Sequence, residues 1–218
     1  MTGHTDAEAL RAAAATCRLA ARTFAAEVDA PFHQALIGLC QAPRLRALGL
    51  VPLDDELLQL PTNRVLDELA VEYCRLFIGP NPICPPYASA RRRGALGTAT
   101  IQTLHTFLHD HAMQPRLPAD APIAAADHIA VALSLLEELY TTASGAPHPS
   151  LEPDRARTAL GQLHEFLTGW ALEFLHEVHV LSRRGPYAPV ARLTLMVLHD
   201  PHLRPQPTLD PAGPPGGA

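Results

Sequence analysis

The sequence predicts an all-α fold, a single-domain bundle of short helices, and three observations carry that expectation. Apolar residues recur at three-and-four spacing in one segment after another, the signature of helices that each bury one face. No stretch alternates apolar and polar residues as a half-buried strand does, and no internal repeat is visible. Prolines and glycines fall between the periodic segments, where they stop or start helices. With 218 residues, 47% hydrophobic and 18% charged, the chain has enough apolar side chain for one core.

The elements follow in order. Residues 6–29 are alanine-rich with Leu10, Ala14, Cys17, Ala21, Phe24, Ala25 and Val28 at helical spacing, which predicts a closely packed helix. Pro31 begins a second helix and Pro43 breaks it, leaving a short turn to Leu48. Residues 53–60 form a short helix with Asp54 or Asp55 as its cap and Pro61 at its end. Thr62 or Asn63 caps the next helix. There Leu66, Leu69, Ala70, Tyr73, Leu76 and Phe77 make the apolar stripe, with Asp67, Glu68 and Glu72 on the other side. Gly79 supplies a left-handed stop, and Pro80 ends the ladder. Arg91, Arg92 and Arg93 form a solvated approach to a helix over 95–111, or else meet an acidic partner surface. Ile123, Ala126, Ile129, Ala130, Leu133, Leu136 and Tyr140 mark another helix, and residues 141–150 a loop. Pro153 opens one long helix, its stripe running from Leu160 through Trp170 to Leu181, closed by Gly185 and Pro186. A last helix covers 189–198. The helical domain therefore spans residues 1–200, and 201–218 is a Pro/Gly-rich disordered tail.

Composition excludes several functions. A formal net charge of −5 argues against nucleic acid as a general partner. No basic region followed by an apolar run opens the chain, and no apolar segment is long enough to insert in a membrane. Cys17, Cys40, Cys74 and Cys84 include no Cys-x-x-Cys pair, so the expectation is a cytoplasmic protein with reduced thiols. There is no nucleophile elbow, phosphate-cradling glycine loop or His-Glu-x-x-His motif, so no cofactor and no enzyme activity are expected.

The stretch that carries most information is Glu72, Tyr73, Leu76, Phe77, Gly79 and Pro80, followed by Pro85, Pro86, Tyr87 and Ser89. It resembles the signature of the TorD/DmsD/NarJ group of redox-enzyme maturation chaperones. A second signature of that group, Asp-His-Ile entering a helix, is matched by Asp127, His128 and Ile129, and Leu163 to Trp170 with Phe174 resembles its tryptophan-bearing penultimate helix. The resemblance covers roughly residues 8 to 200. Three positions depart from the pattern: Ala88 and Ala132 where members carry Glu, and Ala125 where they carry Pro. The resemblance implies a chaperone that binds the apo catalytic subunit of a molybdopterin-dependent oxidoreductase and its twin-arginine leader peptide, as a monomer or homodimer, with the loop at 143–149 as a hinge for helix exchange. It implies a peptide-binding site of Glu72, Tyr73, Phe77, Pro85, Pro86, Tyr87, Ser89, Asp127 and His128. In that reading the carboxylates of Asp127 and Glu72 pair with the leader's arginines. Ala88 leaves open a variant in which the client has no intact twin-arginine motif and stays in the cell.

Other readings remain open on the residues alone. Tyr87 is either a core plug or a recognition residue. His105 and His109, and His176 and His179 with Glu173, stand at spacings that can share a metal or simply face solvent. A metal-dependent hydrolase using these histidines, or a helical adaptor for a folded partner, is the alternative function.

Overall fold

The computed structural model describes residues 2–91, 95–119, 121–149 and 151–203. Among them are eleven α-helices, one π turn and no strand. α1 (Thr2–Ala25), α2 (Ala30–Cys40), α3 (Pro43–Ala47), α4 (Asp55–Gln59) and α5 (Thr62–Tyr73) lead into a π turn over Cys74–Ile78. α6 (Ala88–Arg91), α7 (Ala95–Asp110), α8 (Ile129–Ala143), α9 (Pro153–Thr168), α10 (Ala171–Leu181) and α11 (Tyr187–His199) follow.

α8 is the centre of the bundle. Every residue from Ile129 to Leu136 is buried, which is what a helix covered on all sides requires. α1 lies along it, with Ala13, Ala14, Cys17, Ala20 and Ala21 in the interface; small side chains let the two backbones approach closely. α9 packs on another side of α8, and α10 and α11 form an antiparallel hairpin against α1. A smaller apolar cluster joins α2, α4 and α5 through Leu36, Cys40, Leu57, Val65 and Leu69. Burial drives the Cys84 thiol up to about 11 and that of Cys17 higher still, so neither is a ready nucleophile.

Several expectations are corrected. The predicted long helix from Pro153 is two helices, because at Gly169 and Trp170 the backbone turns (Trp170 φ −154°), which swings the indole into the core. Leu181, placed on its buried stripe, is 41% exposed. The Ile123 helix begins only at Ile129; residues 121–128 are a loop whose N–H groups bond outside a helix. Pro43 starts a helix of its own, as a proline at the first helical position does. Pro61, not Thr62 or Asn63, stands at the N-cap of α5, and no side chain caps it. Asp54 does cap α4, accepting the Leu57 N–H at 2.8 Å. The expected arginine approach splits: Arg91 ends α6 largely buried, paired with Glu177 and stacked 5.4 Å over Phe174, while Arg92 and Arg93 lie outside the described residues. Of the predicted tail, residues 204–218 also lie outside them, and 201–203 form a turn.

Candidate functional site

α5 presents Val65, Leu69, Glu72 and Tyr73 to the interior, with Leu66 and Ala70 only half-buried. The chain then widens into the π turn, where Gly79 N–H donates to Cys74 O at 2.7 Å, five residues back. This turn carries Leu76 and Phe77 inward together, 0% and 4% exposed. The Phe77 ring meets Phe24, Tyr73, Phe174 and Tyr187 at centroid separations of 5.2–6.1 Å, mostly edge to face. Gly79 is not left-handed as expected, with φ −48° and ψ 169°. Its smallness serves the close approach instead: a Cβ there meets Cys74 O at 3.1 Å.

Each polar residue at this point fastens a different part of the bundle. Tyr73 Oη donates to Phe24 O at the end of α1, 3.1 Å away. Arg75 donates to Leu181 O at the end of α10, 2.8 Å away, and grips Glu72 through Nε and Nη2 at 2.8 and 2.7 Å. Glu72 also accepts the Arg183 N–H at 2.7 Å, and Tyr187 Oη donates to Leu69 O at 3.1 Å. Glu72 is therefore 6% exposed and faces inward, where the sequence reading put it outside. Burial alone raises its carboxyl, but the bonds from Arg75 and Arg183 and the guanidinium charge hold it below the usual glutamate range.

The loop folds back on the π turn and then across to the start of α8. Ile83 and Cys84 donate to Arg75 O and Leu76 O at 3.3 and 2.8 Å. Tyr87 and His128 form an isolated antiparallel bridge: Ala88 N–H donates to Asp127 O at 3.1 Å and Ile129 N–H to Pro86 O at 2.8 Å. The fully buried Asp127 accepts the Ser89 N–H on Oδ2 at 2.7 Å, while its Oδ1 has no partner among the described residues. His128 caps α8 by accepting the Ala130 N–H on Nδ1 at 3.1 Å, so the ring is neutral with its hydrogen on Nε2. Burial pushes the imidazole down to about 4 against the opposing pull of Asp127. Tyr87 packs its ring on His128, centroids 4.9 Å apart, and its Oη accepts the Ala124 N–H at 3.2 Å.

The structure thus brings Pro85, Pro86, Tyr87 and Ser89 together with Asp127 and His128. Tyr73 and Phe77 lie in the core beneath, and Glu72 belongs to the turn between α10 and α11. Ala124 also lines a shallow apolar groove of about 350 Å³ with Leu108, Leu117, Ile123, Ala126 and Val131. Arg75, Arg183, Tyr187 and Ala124 were missed by sequence reasoning, because their roles come from backbone groups distant in the chain. The one available signal was an aromatic residue just after Gly185 and Pro186. Among the described residues no three His, Cys, Asp or Glu side chains gather as metal ligands. His109 turns to Asp110, His111 to Gln162 and His179 to Ala188 O.

Comparison with known families settles what this frame is. The model of the family described as nitrate reductase delta subunit matches residues 25–179, from the end of α1 to near the end of α10. The chain belongs to the nitrate reductase delta subunit family. No curated protein matches it. This family is the NarJ/TorD-type group that the two signatures resemble, and its members are maturation chaperones of redox enzymes, not catalysts. No helix among the described residues is long and apolar enough to cross a membrane.

Proposed function

We propose that this nitrate reductase delta family member is a cytoplasmic chaperone. It holds the cofactor-free catalytic subunit of a molybdopterin-dependent oxidoreductase until the cofactor is inserted. The observation that carries the reading is the fastening of residues 85–89 to residues 124–129 beside an apolar groove. A rigid edge with Tyr87 next to a groove of alanine, leucine and isoleucine suits an apolar peptide stretch, because little ordering entropy is lost on docking. The N-terminal leader of the catalytic subunit supplies that stretch. Asp127 Oδ1, buried and without a partner among the described residues, receives an arginine of the leader once the loop that covers it opens.

A second reading is favoured by Glu72, whose two oxygens are already engaged, and by the buried Ala88. In it the client carries no twin-arginine pair, stays in the cell, and is held by apolar contact alone.

The test is retention of the catalytic subunit, with and without its cofactor, on this protein, with titration of its first residues as a peptide. The proposal expects the cofactor-free form to be retained preferentially and the peptide to bind. Asp127→Ala and an arginine-to-lysine peptide each lower affinity about tenfold if arginine recognition holds, since lysine cannot make the forked bond. Unchanged affinity in both selects the retained client. Loss of preference for the cofactor-free form, with no peptide binding, rejects both readings.

A further inference from the structure

The residues that cover Asp127 are held from their far end as well. α6 has four residues, too few to sustain a helical turn without outside support. Its start is tied to the entry of α8: Ala88 N–H donates to Asp127 O and Ser89 N–H to Asp127 Oδ2, at 3.1 and 2.7 Å. Its last residue is tied to α10. Arg91 Nη2 donates to Glu177, Nη1 lies 3.9 Å from Glu173 Oε2, and the guanidinium rests 5.4 Å from the Phe174 ring centroid.

The two partners of this pair are placed differently. The Arg91 side chain is 9% exposed and that of Glu177 35%, so the guanidinium is inside and the carboxylate stands at the edge of the water. A guanidinium this deep needs a carboxylate, and Glu173, 71% exposed, is too distant and too solvated to replace Glu177. Without Glu177, Arg91 turns out to water. Only two residues separate it from Ser89, so the bond from Ser89 N–H to Asp127 goes with it. We propose that Arg91 and Glu177 form an electrostatic latch: closed, it keeps residues 85–91 over Asp127, and released, it uncovers Oδ1. Arg91 is thus a positioning residue for the candidate site, acting through Ser89. Because Glu177 is reached by solvent, the latch is open to screening by salt and to competition from a guanidinium arriving from outside. What the opening serves rests on the reading of Asp127 given above; the latch itself does not.

Amide hydrogen exchange in the full-length protein tests the latch, read at Ala88 and Ser89 against Leu136 in the middle of α8. We expect Ala88 and Ser89 to exchange faster than Leu136 and with little dependence on urea, as a local opening does. Glu177→Ala speeds both amides about tenfold. Arg91→Ala speeds them at least as much, and adding Glu177→Ala to it gives no further gain, because the two side chains act as one unit. Raising NaCl from about 20 mM to about 500 mM speeds the same amides several-fold in the unaltered protein but not in Glu177→Ala. Exchange of Ala88 and Ser89 only at the rate and urea dependence of Leu136 overturns the proposal, since the loop is then released by global unfolding alone. Unchanged exchange in Glu177→Ala overturns it too, as do effects that multiply in the double variant. Titration with the leader peptide separates the latch from the reading of Asp127, because a larger open population raises the apparent affinity of a ligand that needs the open form. Faster exchange in Glu177→Ala with no gain in affinity leaves the latch standing and removes Asp127 from the leader's site.

Discussion

Glu72 and Asp127 are both buried carboxylates at the signature, yet they are held in opposite ways. Glu72 uses both oxygens, taking three hydrogen bonds from Arg75 and the Arg183 N–H, and so joins α5 to the turn between α10 and α11. Asp127 takes one bond on one oxygen, from Ser89, and leaves the other without a partner among the described residues. A carboxylate surrounded by donors is a structural clamp. One with an idle oxygen is the less committed of the two, although it is just as buried. The same residue type in one signature therefore splits into a fastening and a candidate contact.

Four substitutions test that contrast. The clamp depends on the turn it grips, and Gly185 sits in that turn at φ +77°, where an added Cβ falls 2.3 Å from Leu69 Cδ2. Gly185→Ala is expected to cost about 3–4 kcal/mol, from the left-handed backbone and the crowding of a buried leucine together, measured by denaturant unfolding. Glu72→Ala removes the clamp itself and leaves Arg75 and the Arg183 N–H unmatched. The expected loss is about 3 kcal/mol, because Arg75 keeps partial access to water. An affinity for the leader peptide that falls with Glu72→Ala while stability stays put contradicts the clamp assignment.

The third experiment uses pH. Unfolded, His128 takes up a proton near 6.5; folded, only near 4. Between those values the unfolded chain binds more protons, so stability is complete above about 6.5 and falls as the pH drops towards 4. The loss from this group is roughly 3 kcal/mol. His128→Asn keeps a capping acceptor and removes the proton, so it flattens this part of the profile. A residual slope remains, since burial also lowers His33. Below the carboxylate range the depressed Glu72 adds a further loss as it protonates. The smallest effect is expected at the candidate contact: Tyr87→Phe removes only the acceptor for Ala124 N–H and costs about 0.5–1 kcal/mol. A much larger cost makes Tyr87 a core plug instead.

The all-α class was legible because periodicity is a local property, and so were the buried Leu69, Tyr73, Leu76 and Phe77. The Asp-His-Ile signature marked the entry to α8 only through the resemblance, since periodicity started that helix at Ile123 and did not show His128 as its cap. The side of Glu72 was not. With Asp67 and Glu68 it reads as a solvated acidic face, and the inward orientation rests on Arg75 together with a backbone N–H more than a hundred residues later. Trp170 belonged to the stripe as predicted, but the helix break that places it there depends on a backbone φ that spacing does not encode. The fold followed from pattern, whereas the candidate site is built from long-range bonds to main-chain atoms.

The π turn over Cys74–Ile78 bears on what kinds of genetic change this protein tolerates. A π turn holds one residue more than the α-helix it interrupts. Deleting a single residue there returns the ladder to i→i+4 bonding and removes the Gly79 to Cys74 bond from which the loop to residues 86–89 departs. That loop would then start differently towards Asp127 and His128, although every side chain that forms the junction would still be encoded. Ile78, 48% exposed, can change identity with little consequence. The number of residues between Tyr73 and Tyr87 cannot change so freely, which makes chain length here as much a determinant of the site as any side chain.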